Sequence, residues 1–195
     1  DLYLTKNKKL IATINIEDEV KNNTDRVIIG LNQNNITTSL LSGDKKEKCE
    51  SLSNKIPFKN IFSDQLPFDK LNKIKESSKN ENTAMVGDGI NDAPALSQAN
   101  TGVSLGGATH IAIQSADIIL LNKTNLKQLI KAISISKHTL LTIKQNLFWA
   151  FAYNVIAIPI AAMGYLNPMW GALFMAFSDV VVIGNSIRLR YKKLD

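Results

Sequence analysis

Between Lys144 and Asp179 the chain carries no charged residue, and few folds can absorb such a run. About 20 predominantly apolar residues suffice for one helix to cross a bilayer. The stretch divides at a short break over residues 164–168, which predicts two crossing helices at about 143–164 and 168–189. Trp149, Tyr165 and Trp170 stand where aromatic side chains favour the membrane–water boundary. Lys137 and Lys144 precede the first span, and Arg188, Arg190, Lys192 and Lys193 follow the second. By the positive-inside rule both chain ends face the cytoplasm and the 164–168 loop faces outward. The expectation is an integral membrane protein with its soluble domain on the cytoplasmic side. The alternative, a buried helical pair in a soluble core, is disfavoured because core helices are shorter.

The rest of the chain is of another kind. Mean hydropathy is −0.04, an average of two unlike halves, since residues 1–125 are polar and rich in Lys and Asn. Lys and Arg number 23 against 17 Asp and Glu, giving a net charge of +6. The cations are spread over helices or flank the apolar spans, with no basic stripe interleaved with aromatics, so nucleic acid is not an expected partner. The single Cys49 excludes an internal disulfide and a cysteine-based metal framework. The N-terminus, Asp1-Leu2-Tyr3, has no leading apolar run and no initiator Met, and the expectation is a piece of a longer protein.

In chain order, residues 1–16 read as two strands around a turn at Asn7-Lys8. Asp18 then opens a helix with Val20, Val27, Ile28 and Leu31 at near-helical spacing. A strand over residues 36–41 ends in Ser42-Gly43-Asp44, followed by a helix over 45–54 and a short strand at Ile61-Phe62. Pro67 starts another helix, at a position where its missing N–H costs little. Residues 84–86 form a strand, and beyond the Asp92 helix come a strand at 102–105, a short helix at 108–115 and a strand at 117–121. Strands alternating with helices at this spacing predict an α/β fold with a parallel sheet covered by helices on both faces. Ligands gather at the carboxyl ends of such strands, and Ser42-Gly43-Asp44 and Asp88 both follow strands.

Residues 85–96 read Met-Val-Gly-Asp-Gly-Ile-Asn-Asp-Ala-Pro-Ala-Leu. Glycines on either side of Asp88 let backbone and ligand approach closely. Asp88, Asn91 and Asp92 make a hard-oxygen cluster of the kind Mg²⁺ takes when it also holds a phosphate. The plain alternative is a polar strand-to-helix turn, with Asn91 or Asp92 as the helix cap. Lys70 is a candidate to neutralise phosphoryl oxygens, and Ser42 could donate its hydroxyl to the same group.

The run Gly-Asp-Gly-Ile-Asn-Asp-Ala-Pro-Ala-Leu closely resembles the signature of P-type ATPases, ion pumps of the haloacid dehalogenase superfamily. Ser42-Gly43-Asp44 resembles their Thr-Gly-Asp motif, with Ser retaining the hydroxyl, and Pro67 to Lys70 their Pro-x-x-Lys. Asp18-Glu19-Val20-Lys21 is similar to the Asp-Pro-x-Arg entry to the phosphorylation domain. The resemblance implies a partial haloacid-dehalogenase-like domain over residues 16–125, preceded at 1–15 by the last strands of a nucleotide-binding domain. Ser42, Asp44, Lys70, Asp88, Asn91 and Asp92 would be its catalytic set, with Mg²⁺ on Asp88 and Asp92 and ATP bound by the complete enzyme. Residues 126–195, a linker helix and membrane hairpin, resemble the last two helices of the heavy-metal branch, most of all its copper pumps. Tyr153 and Asn154 match a metal-site pair there, and the Met175 thioether suits soft Cu(I).

Asp179 departs from the copper pattern, which usually has Ser. A mid-membrane carboxylate is costly and marks a functional site by default, and as a hard ligand it leaves a divalent ion or a proton open. Asp-Lys-Thr-Gly-Thr, with the phosphorylated Asp, is not in the sequence, nor are Cys-Pro-Cys and the actuator domain. The expected function is therefore the C-terminal part of a copper-type P-type ATPase, working with membrane lipid, the transported ion and the pump's N-terminal part, and inactive alone. The alternatives are a membrane-anchored phosphatase of the same superfamily and a remnant or split subunit that docks to a pump.

Overall fold

The computed structural model describes residues 2–6, 8–14, 20–122 and 125–192. The chain forms two compact units, residues 1–128 and 129–195. The first opens with β1 (Leu2–Lys6) and β2 (Lys9–Ile14), an antiparallel ladder whose register shifts between Leu4 and Thr5. Lys8 takes the turn with φ 64°.

The next helix, α1 (Thr24–Gln33), starts later than its apolar spacing suggested. Asp18 lies outside the described residues, but Val20 and Lys21 are not helical. Asn23 stands before the helix with φ 63°, a left-handed conformation that Asn tolerates and a helix cannot pass through. The Thr24 hydroxyl donates to the Lys21 carbonyl at 2.5 Å, which fixes the turn. Val27 and Leu31 face the core. The strand expected over 36–41 is also shorter. The Ile36 amide donates to the Leu31 carbonyl and the Thr38 hydroxyl to Asn32, so this segment is held to α1 and only β3 (Ser39–Leu41) pairs. Its partner is β4 (Asn60–Phe62), in parallel, with α2 (Lys46–Ser53) between them.

Then come α3 (Pro67–Asn80), β5 (Ala84–Gly87), a 3-10 turn (Ile90–Asp92), α4 (Ala93–Gln98), β6 (Thr101–Leu105), α5 (His110–Gln114) and β7 (Ile118–Leu120). The Asp69 carboxylate accepts the Leu66 amide at the start of α3, meeting a donor that the first turn would otherwise leave unpaired. Strands β5, β6 and β7 form a parallel sheet in that order. The α/β class is as expected, but the parallel strands form two separate ladders. Among the described residues none pairs β3 with β5. The core joins α3 (Ile74), β5 (Met85), α4 (Ala95, Leu96) and α5 (Ala112), and Leu41 of β3 packs against it.

In the second unit α6 (Lys127–Ala162) and α7 (Pro168–Arg190) are each long and apolar enough to cross a bilayer. Gly164, at φ 80°, turns the chain after α6, and the Asn167 side chain caps α7 by accepting the Met169 amide. Across the pair, the Tyr153 hydroxyl donates to the Gly171 carbonyl at 3.2 Å. Asn185 donates to Asn146 at 2.8 Å, and Asn146 to Ser186 at 2.9 Å. The half-buried positions of α7 include Gly171, Ser178, Val182, Asn185 and Leu189, steps of three, four and seven that mark one stripe. Small residues and amides on such a stripe are how helices associate in lipid, where burying apolar surface gives no drive.

Gly102 of β6 is tightly enclosed by backbone. Its amide donates to Asp117 at 2.7 Å, and a Cβ there would lie 2.6 Å from the Leu96 carbonyl oxygen. Backbone cannot give way as a side-chain tip can, so Gly102→Ala is expected to destabilise the first unit by about 1–3 kcal/mol. Amide hydrogen exchange in the full chain should accelerate across β5 and β6 and stay unchanged in α7.

Candidate functional site

The site grows from the end of β5. Gly87 is buried, and a Cβ on it would lie 2.9 Å from that of Asp92. Only glycine here lets the 3-10 turn fold Asp92 back over the strand end. Lys70, in the first turn of α3, reaches in and pairs with Asp92 Oδ1 at 2.8 Å. The two side chains are only 14% and 16% exposed, so this pair is shielded from water as surface pairs are not.

Asp44, after β3, lies within the same field. The Ser42 hydroxyl donates to its Oδ2 at 3.0 Å and accepts its amide at 3.1 Å, and Lys48 pairs with Oδ1 at 3.0 Å. The Lys48 hydrogen bond does most to hold the Asp44 carboxyl below its ordinary value of 3.8, and partial burial opposes it. The Ser42 hydrogen bond and the charges of Lys48 and Lys70 add to the lowering. The loop is tied to the one after β4, because Gln65 donates to the Ser42 carbonyl and Asp64 to the Asp44 carbonyl, each at 2.9 Å.

Asp88 is half-exposed, and its carboxylate takes the Lys21 ammonium at 2.6 Å. Its backbone carbonyl accepts the Thr109 amide, which fixes the loop against the start of α5. Asn91 is exposed on the 3-10 turn. Among the predicted residues, Lys70 thus carries its charge to both Asp92 and Asp44, Ser42 is bound to Asp44, and Asp88 and Asn91 stand on the same short loop as Asp92. Lys21 had no role in the sequence beyond its place in an entry motif. That placement was the available signal for its pairing with Asp88, across 67 residues.

Among the described residues no three His, Cys, Asp or Glu side chains cluster as a metal cage. Mg²⁺ does not need one, since it commonly takes one or two carboxylates and fills its sphere with water and phosphate oxygens. Asp88 and Asp92 offer hard oxygens at one strand end, and Asp88 already holds a cation, the Lys21 ammonium. The residues fit Mg²⁺.

In the second unit Tyr153 is committed to the Gly171 carbonyl and the Asn154 amide to its own helix at Ala150. Met175 is 62% exposed and Asp179 is exposed, one helical turn apart on α7. Among the described residues no hydrogen bond joins these four side chains to one another.

A carboxyl with a depressed pKa stabilises the fold above its unfolded value, and that contribution is lost as pH falls through the folded value. For Asp44 the loss falls below pH 3.8. Carboxyl NMR should show Asp44 titrating below that value, and Lys48→Gln should move it upward.

The haloacid dehalogenase-like hydrolase profile matches residues 2–100. The copper-transporting ATPase 2 of Rhizobium meliloti is 40% identical over 198 residues, covering 97% of this chain and 24% of that protein. A copper-exporting P-type ATPase of Staphylococcus saprophyticus is 42% identical over 189 residues, covering 96% of this chain and 24% of its own length. The crystal structure of a zinc-transporting PIB-type ATPase in its E2.Pi state superposes with a TM-score of 0.83 at 27% identity, over 89% of this chain and 28% of that one. The chain therefore spans about a quarter of the length of the relatives it matches. With a family profile covering half of its residues and relatives aligned along nearly all of them, the chain belongs to the haloacid dehalogenase-like hydrolases, and its relatives there are metal-transporting P-type ATPases.

Proposed function

We propose that this chain is the C-terminal part of a copper-type P-type ATPase, which couples Mg²⁺-dependent phosphorylation by ATP to metal movement across a membrane. Residues 16–125 are the later half of its phosphorylation domain, residues 1–15 close a nucleotide-binding domain, and residues 126–195 carry the linker helix and final membrane hairpin. The observation that carries this reading is Lys70, whose ammonium pairs with Asp92 and also acts on Asp44. One cation between two carboxylates at strand ends is a place prepared for an anion that arrives with its own metal.

Phosphoryl transfer is mostly positioning and charge stabilisation. Bound Mg²⁺ would supply charge neutralisation at the phosphoryl oxygens. Asp88 and Asp92 would hold it, with Asn91 orienting the loop, and Lys70 would stabilise the charge on the transferring group. Ser42 turns its hydroxyl to the same group while Asp44 keeps it in place. The phosphorylated Asp and most of the ATP site come from the part of the pump that precedes this chain. Both chain ends and the soluble unit face the cytoplasm, and the hairpin sits in lipid.

Tyr153, Asn154 and Met175 contribute ligands to the transported ion, favouring Cu(I). Asp179 on the same helix admits a divalent ion, and zinc is named for one structural relative. Other membrane helices of the pump complete the site.

In the intact pump Asp88→Ala is expected to abolish phosphoenzyme formation. Labelling from γ-phosphate-labelled ATP checks this, and undiminished labelling would remove Asp88 from the reaction.

A further inference from the structure

In the hairpin the cations and the carboxylates are unequally matched. From Leu129 to Lys192 the only carboxylate is Asp179, whereas Lys131, Lys137, Lys144, Arg188, Arg190 and Lys192 are cationic. Asp179 lies nine residues before Arg188 on α7, about 13 Å along the axis. Among the described residues no carboxylate pairs with Arg188 or Lys192. Cations in the last turn of a helix answer its dipole, but that role calls for no concavity.

Here there is one. A cleft between α6 and α7 is lined by His138, Thr142, Gln145, Arg188 and Lys192. Its donors are held from both helices, since Arg188 Nη2 donates to Gln145 Oε1 at 3.4 Å and Lys192 Nζ lies 2.9 Å from His138 Nδ1. Directly beyond, Asn185 donates to Gln145 at 3.3 Å and to Asn146 at 2.8 Å, sealing the seam with amides. Past that seal, Leu147 on α6 and Ile183 on α7 are exposed apolar residues. The cleft thus sits at the step from apolar to basic surface, the depth at which lipid phosphates lie.

We propose that this cleft binds the phosphate of an anionic glycerophospholipid, with the Arg188 guanidinium and the Lys192 ammonium as its donors. Basic pockets between membrane helices on the cytoplasmic side suit such headgroups. A guanidinium presents a planar fork that matches phosphate oxygens in pairs. This inference rests on the membrane reading of α6 and α7 and deepens it.

The test uses the full chain in vesicles of phosphatidylcholine, with or without phosphatidylglycerol, and measures by mass spectrometry the lipid retained through detergent extraction. Each cation near an anionic surface contributes about 1 kcal/mol. Arg188→Gln with Lys192→Gln is therefore expected to lower phosphatidylglycerol retention roughly 25-fold, and Arg188→Lys with Lys192→Arg to restore part of it. Lys127→Gln with Lys131→Gln removes the same charge farther from the cleft and is expected to change retention little. Equal loss in that control, or no preference of the unaltered chain for phosphatidylglycerol over phosphatidylcholine, overturns the proposal. Displacement of the lipid by inorganic phosphate would also overturn it, leaving a free-anion site. Carbonate extraction reports the membrane reading separately, because protein released by alkaline wash would refute the insertion of the hairpin and not merely the cleft.

Discussion

The Lys70 ammonium and the Asp92 carboxylate meet 2.8 Å apart with little access to water, and the geometry of the candidate site in the first unit follows from that pair. Taking two charges out of water costs several kcal/mol per ion, which mutual attraction repays only in good geometry. Either partner alone would be left with an uncompensated charge. The pair consequently fixes the first turn of α3 against the turn that follows β5. Ile74, one turn further along α3, meets Met85 and Leu96 in the core, so charge and packing hold the same two elements. Such a pair is weak as a source of stability. Its worth lies in holding a positive charge against Asp92 that also acts on Asp44, and on the reading proposed here that charge awaits a phosphate.

Much of this was legible in the residues. Gly87 and Gly89 around Asp88, with Asn91 and Asp92 after it, announced a close approach, and Gly87 is indeed where any side chain would collide with Asp92. Pro67 marked the start of α3, and the uncharged runs marked both long helices. The start of α1 was not legible, because apolar spacing through Val20 and Val27 could not reveal that Asn23 would turn left-handed. The division of the parallel strands into two ladders was likewise hidden, since strand pairing is set by contacts distant in sequence. The Lys21–Asp88 pair is of that kind too.

The second unit shows the same limit. Composition shows that two helices are long and apolar enough to cross a bilayer, but not which faces meet. The structure supplies that through Gly171 and Ser178 on the contact stripe and the amides of Asn146 and Asn185 joined across it. Asp179, one residue off that stripe, is left facing outward from the pair. A carboxylate at that depth calls for a partner, and on the reading proposed here other helices of the pump provide it. On that reading both units hold polar groups for components outside the chain, a phosphate and metal at the strand ends and further ligands along α7.

That one edge of the sheet is built to take a hard divalent cation can be tested directly with Mn²⁺, a paramagnetic stand-in for Mg²⁺. Amide resonances of the full chain in detergent would be followed as Mn²⁺ is added. The account predicts selective broadening of residues 87–92 first and 42–44 next, reversed by excess Mg²⁺ and absent in Asp88→Asn. Broadening centred on Glu47 and Glu50 of α2, or spread evenly over the surface acids, would contradict it.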